Sequence, residues 1–256
     1  DPTEDMNMPN ASRPGEDGGE IVLVHSSDLH IDHQFGPEVY GGVRTMGLRS
    51  VLDAAQRTGA DAILVAGDMF EHNRQPQHLL DETAELLQGA AMHVVILPGN
   101  HDPIIPGSAF HRSGLAGIEG VHILGLTHDQ AVLLDELNLE VWGHAHRDYA
   151  DMMPLRSPRP RSTRWQVVMA HGHYEAAPDR NRRHNPGWLI GADEITATGA
   201  DYVALGHWNR SERVGTDGVH AYYSGSPDLA ETVNVIRLAE SGIDVSRVPV
   251  RFDIEP

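Results

Sequence analysis

Short apolar segments bounded by glycine, aspartate or proline recur along the chain from Ile21 onward. Segments of four to six such residues between turn residues predict buried strands. The predicted strands are 21–25, 62–66, 93–97, 121–126, 139–142, 166–170, 202–205 and 219–223. Between the first three strands, apolar residues recur at helical spacing over 43–58 and 77–88, and Gly59 or Gly89 follows each segment. The pattern predicts a β-α-β-α-β unit with parallel strands and right-handed crossovers.

After Gly99 the strands are shorter and little helix is predicted, which indicates a second sheet packed on the first. The fold class is therefore α/β with two layers of strand. A chain of 256 residues suits one substantial domain, predicted over 21–256. Residues 1–20 are rich in proline, glycine, asparagine and acids, and they predict a disordered lead. Polar segments at 151–164 and 176–188 predict exposed loops.

The composition limits which residue types could bind a metal ion and which partners the chain could bind. The chain has 17 histidines, no cysteine and a formal net charge of −18, so a metal would have to be held by His, Asp, Glu or Asn. The negative charge argues against broad nucleic-acid binding through a basic face. No apolar run reaches the roughly 18 residues of a membrane span and no leader is recognised, so we expect no membrane association and a cytoplasmic location.

The first three predicted strands each end in residues that can bind metals. The motifs are HSSDLHID with Asp28 and His30, VAGDMF with Asp68, and LPGNHDP with Asn100, His101 and Asp102. Each motif alone is equally typical of a turn. Their ordered combination at successive strand ends predicts a metal site, because the carboxyl ends of parallel strands meet at one edge of a sheet.

Two later strands complete the pattern, since VVMAHGHYE contains His171 and YVALGHWN contains His207. With these motifs the chain resembles the calcineurin-like metallophosphoesterases, whose ordered signature is D-x-H, G-D, G-N-H-D, a strand-terminal histidine and G-H-x-H. The segments GDMFEHNRQP and AYYSGSPD resemble most the nuclease domain of bacterial and archaeal DNA double-strand-break repair exonucleases. The resemblance implies a four-layer α-β-β-α sandwich of two mixed sheets and an SMC-like ATPase partner.

The resemblance also implies residue roles. Asp28 and His30 would bind one metal ion, Asp68 would bridge two ions, and His101 would act at the substrate phosphate with Asp102 orienting it. The implied ligands of the second ion are Asn100, His171 and His207, and the last ligand of the first ion falls on Asn209. Two divalent ions would activate a bridging hydroxide for phosphodiester hydrolysis. The mixed His, carboxylate and amide ligands suit Mn²⁺, Fe²⁺ or Zn²⁺, and the resemblance to the nucleases implies Mn²⁺.

Asn209 departs from the signature, which has a histidine at that position. An amide oxygen is a weaker ligand than imidazole, so the first ion should be bound more loosely. Three outcomes stay open: a working site with one labile ion, rescue by a nearby histidine such as His173, or loss of catalysis with the fold retained. The last would make the chain a binding module rather than an enzyme.

Other motifs have two interpretations each. EVWGHAHRD contains a G-H-x-H at His144 and His146, which is interpreted as a loop at a strand end rather than as the closing motif. Trp208 would stack on a substrate base or wall the site, and Glu71 and His72 are candidates to orient a ligand. Seven arginines would either track a phosphate backbone or be solvated: Arg156, Arg159, Arg161, Arg164, Arg180, Arg182 and Arg183.

The predicted function is therefore a metal-dependent phosphodiester hydrolase that acts on DNA. A small-molecule phosphodiesterase or phosphatase is the alternative, favoured by the net charge of −18. The sequence predicts no oligomeric state.

Overall fold

A computed structural model describes residues 19–32, 40–181, 188–216 and 218–254. Almost all of the predicted lead, part of the predicted loop at 176–188, and Arg182 and Arg183 lie outside these residues. The helices are α1 Met46–Thr58, α2 Gln77–Gln88, α3 Ala109–Arg112, α4 Ala192–Ala197 and α5 Pro227–Ala230, with 3₁₀ turns at Leu115–Gly117 and Asp135–Leu137. No helix among the described residues is both long and apolar enough to cross a bilayer.

Fourteen strands are described. They are β1 Ile21–Ser26, β2 Ala62–Ala66, β3 His93–Leu97, β4 Val121–Ile123, β5 Ala131–Leu134, β6 Leu139–Gly143, β7 Trp165–His171, β8 His173–Tyr174, β9 Leu189–Ile190, β10 Tyr202–Gly206, β11 Glu212–Val214, β12 Ala221–Tyr223, β13 Thr232–Ala239 and β14 Gly242–Pro249. All eight predicted strands are present, although β4 and β12 are shorter than expected. The sequence did not predict β5, β8, β9, β11, β13 or β14.

Two six-stranded mixed sheets form the centre of the fold. The first has the order β14-β13-β1-β2-β3-β4, in which β1 to β4 are parallel, β13 pairs antiparallel with β1, and β14 pairs antiparallel with β13. The second has the order β11-β12-β10-β7-β6-β5, with four parallel strands and an antiparallel strand at each edge. A short pair, β8 and β9, stands apart from both sheets.

Alternation along β1 shows how the layers stack. Ile21 and Leu23 point into the core between the two sheets, whereas Val22 and Val24 belong to the core under the helices. Successive strand side chains point to opposite faces, so one strand serves both cores. On the helix side, buried residues of α1 and α2 such as Leu48, Val51 and Leu80 recur at helical spacing and cover that face.

The outer face of the second sheet is covered in the same way. Ile195 of α4 packs with Val168 of β7 and Val203 of β10 in a third cluster of buried residues. The order of layers is therefore helix, sheet, sheet, helix. This confirms the predicted four-layer α/β sandwich, and it brings the carboxyl ends of parallel strands from both sheets to the same end of the molecule.

Candidate metal centre

Loops at the carboxyl ends of five strands bring their polar side chains together. Asp28 and His30 follow β1, and Asp68 follows β2; the other residues of the region are Asn100 after β3, His171 at the end of β7 and His207 after β10. Glycines permit the close approach. A Cβ atom at Gly67 would lie 1.9 Å from His171 Nδ1, and one at Gly99 would lie 2.2 Å from Asp68 Oδ1. Any larger residue would therefore push the loops apart.

The first group of ligand atoms comes from Asp28, His30 and Asp68, which lie within 4.8 Å of one another. Oδ2 of the buried Asp28 accepts hydrogen bonds from the Ser27 hydroxyl at 2.5 Å and the His207 amide at 3.0 Å. Oδ1 of Asp28 lies 3.9 Å from His30 Nε2. Two donors on one oxygen hold the carboxylate so that its other oxygen faces the imidazole.

The second group contains Asp68, His171 and His207, again within 4.8 Å. His171 Nδ1 donates a hydrogen bond to the Ala66 carbonyl at 2.9 Å, which in a neutral ring places the lone pair on Nε2. That nitrogen lies 2.9 Å from Asn100 Oδ1 and 3.1 Å from Asp68 Oδ2. Three acceptors face one another here, an arrangement that requires either a cation between them or a proton on His171.

Asp68 is common to both groups. Its Oδ2 faces His171, while its Oδ1 accepts a hydrogen bond from the His101 amide at 2.9 Å. The side chain is 2% exposed, so solvent does not stabilise its charge. A carboxylate that would bridge two ions has to stand at this place, between an Asp–His pair on one side and two imidazoles on the other.

Four of these residues have backbone conformations that side chains other than glycine rarely adopt. The φ angles are 55° at Asp28, 44° at His30, 53° at Asp68 and 107° at His207. Such conformations cost free energy and persist where the surrounding structure enforces them. Here the left-handed backbone turns each side chain back toward the strand ends.

The buried charges interact strongly. Burial raises the pKa of Asp28 and outweighs the favourable charge of His171. Burial opposes the charge on Asp68 and on His171 as well, but their mutual attraction lowers the pKa of Asp68 and raises the pKa of His171 to about 9. Burial, followed by the charge of His171, lowers the pKa of His207 to about 4. A proton on His171 thus supplies the positive charge that two buried carboxylates need, and the same donor set also suits a divalent cation.

His101 stands at the solvent side of the centre, with 41% of its side chain exposed. Its Nδ1 donates a hydrogen bond to the Glu71 carbonyl at 2.9 Å, and its ring centroid lies 4.8 Å from that of His30. A neutral His101 then has its lone pair on Nε2. The ring is fixed in position and still accessible to a substrate.

Asp102 was expected to orient His101, and here the structure differs. The buried carboxylate of Asp102 accepts hydrogen bonds from the amides of Phe70 at 2.9 Å and Gly99 at 2.7 Å. Burial, and then the charge of Asp68, raises the pKa of Asp102 to about 7. Because Asp102 turns into the protein while His101 turns outward, it joins the loops after β2 and β3, and the Glu71 carbonyl orients the imidazole instead.

Asn209 lies exposed on the surface beyond His207. Its backbone carbonyl accepts a hydrogen bond from the Ser226 amide at 3.2 Å. Its role as a ligand of the first ion stays a prediction.

His173 and Trp208 form an aromatic wall beside the centre. The indole Nε1 of Trp208 donates a hydrogen bond to His173 Nδ1 at 3.0 Å, so a neutral His173 carries its proton on Nε2 and would have to give up this bond to bind a metal. Tyr223 stacks on Trp208 at 4.3 Å, and the Arg210 guanidinium lies 4.5 Å from its ring centroid. The faces of the indole are thus already in contact with protein groups, which favours the wall over a base-stacking platform.

His144 and His146 follow β6 and are both buried. His144 Nε2 donates a hydrogen bond to the Arg156 carbonyl at 2.7 Å, and His146 Nε2 donates one to the His171 carbonyl at 2.9 Å. Among the described residues, neither belongs to a group of three side chains that could share an ion. His146 instead holds the main chain of His171 in place through this hydrogen bond.

The loop arginines are paired within the chain. Arg159 contacts the fully buried Glu140 at 2.9 Å, and Arg161 contacts Asp201 at 2.6 Å. Arg164 and Arg180 pair in the same way with Glu240 and Glu194, and Arg156 donates a hydrogen bond to the Met153 carbonyl. These contacts support the interpretation that the arginines hold the loops in place rather than form an open phosphate track.

The structural roles of two contributors, Ser27 and His146, had no signal in the sequence. The Ser27 hydroxyl fixes Asp28, and it lies 3.1 Å from the Ser224 hydroxyl, 197 residues further along the chain. His146 acts only through a backbone carbonyl. Hydroxyl and carbonyl contacts of this kind depend on tertiary structure, so residue type and spacing cannot reveal them.

Two facing sheets that gather Asp, His and Asn side chains at their strand ends form an α/β sandwich with a candidate divalent-metal centre. The family described as calcineurin-like phosphoesterase matches residues 21–211, and the chain belongs to that family. Members of this family are metal-dependent phosphoesterases, and the ligand groups described above are of the type that divalent metal ions bind.

Named relatives are similar at modest identity. The chain is 26% identical over 228 residues to the uncharacterized metallophosphoesterase YhaO of Bacillus subtilis, and 27% identical over 246 residues to one subunit of the nuclease SbcCD of Escherichia coli. These matches cover 81% and 80% of this chain but only 53% and 60% of the two relatives. A crystal structure at 12% identity aligns over 91% of this chain and 100% of its own length with a TM-score of 0.56, which shows the fold alone.

Proposed function

We propose that this chain is a dinuclear phosphodiester hydrolase that acts on DNA with two Mn²⁺ ions. The observation that carries the proposal is the position of Asp68, which is common to two groups of ligand atoms at the strand ends. Two divalent cations held by these two groups would lower the pKa of a water and stabilise charge at phosphorus during in-line displacement.

The protein's own residues divide the remaining work. Asp28, His30 and Asp68 would hold the first ion, and Asp68, Asn100, His171 and His207 the second, with Asn209 the weak ligand at the edge of the first. His101, fixed through Nδ1 and partly exposed, would act in its doubly protonated form and donate the Nε2 proton to the leaving oxygen of the substrate, which returns the ring to the neutral form with its lone pair on Nε2. Asp102 would act by holding together the loops that carry Asp68 and His101.

DNA as the substrate is supported by the similarity to a component of a nuclease in Escherichia coli. On the same basis we propose that the chain works with a second protein of the SMC-like ATPase type. Because this chain spans about half to three fifths of its curated relatives, substrate and partner are carried over as proposals.

A small-molecule phosphodiesterase is the second candidate, and the charge distribution favours it. The formal net charge is −18, and the described loop arginines are already paired with carboxylates or carbonyls of this chain. An open basic track, which long nucleic acids usually bind, is thus missing from the described arginine loops.

The test is Mn²⁺-dependent turnover of bis(p-nitrophenyl) phosphate and of end-labelled single-stranded and duplex DNA, by wild type and Asn209→His. We expect wild type to hydrolyse both substrates and Asn209→His to need less Mn²⁺ for half-maximal rate. Turnover of the small diester without DNA cleavage would support the second candidate. A wild type inert on both, with activity only in Asn209→His, would instead identify a binding module on an enzyme's fold.

A further inference from the structure

Glu71 contacts both histidines on the exposed side of the centre. Its carboxylate Oε2 lies 2.9 Å from His30 Nδ1, and its backbone carbonyl accepts the hydrogen bond from His101 Nδ1, also at 2.9 Å. We propose that Glu71 is a positioning residue that fixes the tautomer of His30 through its side chain and the tautomer of His101 through its main chain. The proposal builds on the dinuclear function above.

The side-chain contact determines which nitrogen of His30 is available. A carboxylate oxygen 2.9 Å from Nδ1 favours a proton on that nitrogen over a lone pair, although the contact is an ion-pair distance outside hydrogen-bond geometry. The lone pair is then on Nε2, the nitrogen that lies 3.9 Å from Asp28 Oδ1. A carboxylate behind an imidazole also makes the far nitrogen a better metal ligand. Glu71 therefore both sets which nitrogen of His30 faces the ion and makes that nitrogen a stronger metal ligand.

This contribution matters most for the first ion. Its described ligand group has one imidazole and two carboxylates, whereas the second group has two imidazoles. Asn209, the predicted remaining ligand of the first ion, is an exposed neutral amide. The affinity for the first ion thus depends strongly on His30, and through it on Glu71.

The main-chain contact is independent of the side chain. The Glu71 amide donates a hydrogen bond to the Ile31 carbonyl at 3.1 Å, and Ile31 and Phe70 form a parallel β-bridge next to it. The Phe70 amide is in turn held by Asp102. The carbonyl that orients His101 should therefore stay in place when the Glu71 side chain is changed.

Direct ligation by Glu71 is the competing role, since ligand atoms of His30, Glu71 and His101 also lie within 4.8 Å of one another. Glu71→Ala and Glu71→Gln separate the two roles. The amide oxygen of glutamine keeps a partial negative charge beside Nδ1 of His30 and so still favours a proton there, but it is a poor replacement for a charged metal ligand.

The experiment titrates metal-free protein with Mn²⁺ and follows free Mn²⁺ by electron paramagnetic resonance, without substrate. Glu71→Ala should weaken the looser ion about 10- to 100-fold, and Glu71→Gln by less than about tenfold. The exposed Glu119 provides the control variant Glu119→Ala, which should match wild type. Long-range ¹H–¹⁵N spectra of the metal-free proteins should show His30 as the Nδ1–H tautomer in wild type and as a mixture in Glu71→Ala.

The positioning role also predicts that Glu71→Ala weakens Mn²⁺ binding but has little effect on kcat once Mn²⁺ is saturating. At saturating Mn²⁺ the kcat of Glu71→Ala should return to within a few-fold of wild type, because His101 keeps its carbonyl partner. Unchanged Mn²⁺ binding in Glu71→Ala, equal losses in both variants, or a kcat that Mn²⁺ does not restore would each overturn the inference. A wild type that binds a single ion would refute the dinuclear function, and the effect of Glu71→Ala on that one ion would still decide the role of Glu71.

Discussion

Strand β3 has a cluster of histidines near each of its ends, and only one of them is suited to hold metal. At the amino end His93 Nδ1 lies 3.1 Å from His122 Nε2, His93 Nε2 pairs with Glu136, and the rings of His122 and His128 are 5.2 Å apart. At the carboxyl end lie Asn100 and the ligand groups around Asp68.

The difference lies in where protons and lone pairs are placed. In the amino-end cluster, one proton between His93 and His122 and another between His93 and Glu136 satisfy the described contacts, so neutral rings suffice. In the metal centre three acceptors meet at His171 Nε2, and backbone contacts prevent the ring from turning away. The number of histidines is therefore a poor guide to a metal site, whereas unmatched acceptors held rigidly are a good one.

The largest expected effect comes from neutralising one carboxylate near each end of β3, Asp68 at the carboxyl end and Glu136 at the amino end. Asp68→Asn should lower turnover by more than about 10³-fold, because it removes the charge common to both ligand groups and with it several kcal/mol of stabilisation. Glu136→Gln should stay within about twofold of wild type, as expected for an exposed side chain remote from the reaction. The measurements are Mn²⁺-dependent turnover and thermal unfolding of the metal-free proteins. A comparable loss in Glu136→Gln would contradict the comparison.

A smaller effect, confined to one step, is expected from His101→Gln. If His101 protonates the leaving oxygen, kcat on a nucleotide diester should fall about 10²- to 10⁴-fold. The loss on bis(p-nitrophenyl) phosphate should be much smaller, because its leaving group departs without a proton. Mn²⁺ binding should be unchanged, and His93→Gln at the other end of β3 serves as the control. Equal losses on both diesters would assign His101 to phosphate binding rather than proton transfer.

The smallest effect concerns pH and the amino-end cluster. Burial, followed by the charges of His93 and His128, lowers the pKa of His122 from 6.5 to about 4. The unfolded chain therefore binds more protons than the folded one between these values, and the free energy of unfolding falls as the pH drops through this window. His122→Gln should flatten that fall without changing turnover at neutral pH. Denaturant unfolding at several pH values measures it, and an unchanged slope would show that His122 is not the source.

Much of this arrangement follows from the sequence, and the failures have physical causes. The strand-end ligands were predictable because parallel strands end at a common edge. Strand β13 was not predictable, because it joins the first sheet by antiparallel pairing with β1 and is not preceded by a crossover helix that would indicate its place. Its buried Asn234 also interrupts the apolar pattern, and only the fold supplies the partners, the Tyr202 hydroxyl and the Tyr223 carbonyl.

Within the site, residue type predicted which residues lie at the centre, but sequence proximity did not predict which residue orients His101. Asp102 follows His101 directly, yet the two side chains point in different directions and His101 is held by Glu71, 30 residues earlier. The contact uses the main chain of Glu71, which every residue type shares. Such contacts leave no mark on composition or spacing, and they became apparent only from the loop conformation.

The position of β13 has a consequence for biosynthesis. Strand β1, which leads directly to Asp28, is flanked on one side by β13, whose pairing joins Ile21 to Leu238 across most of the chain. Asp28 is likewise held by the His207 amide, 179 residues away. Pairings so distant in sequence form late, because the intervening chain must first be made and collapse. During synthesis the β13 edge of β1 would thus stay unpaired until β13 has been made, and capture of the metal ions would follow that pairing.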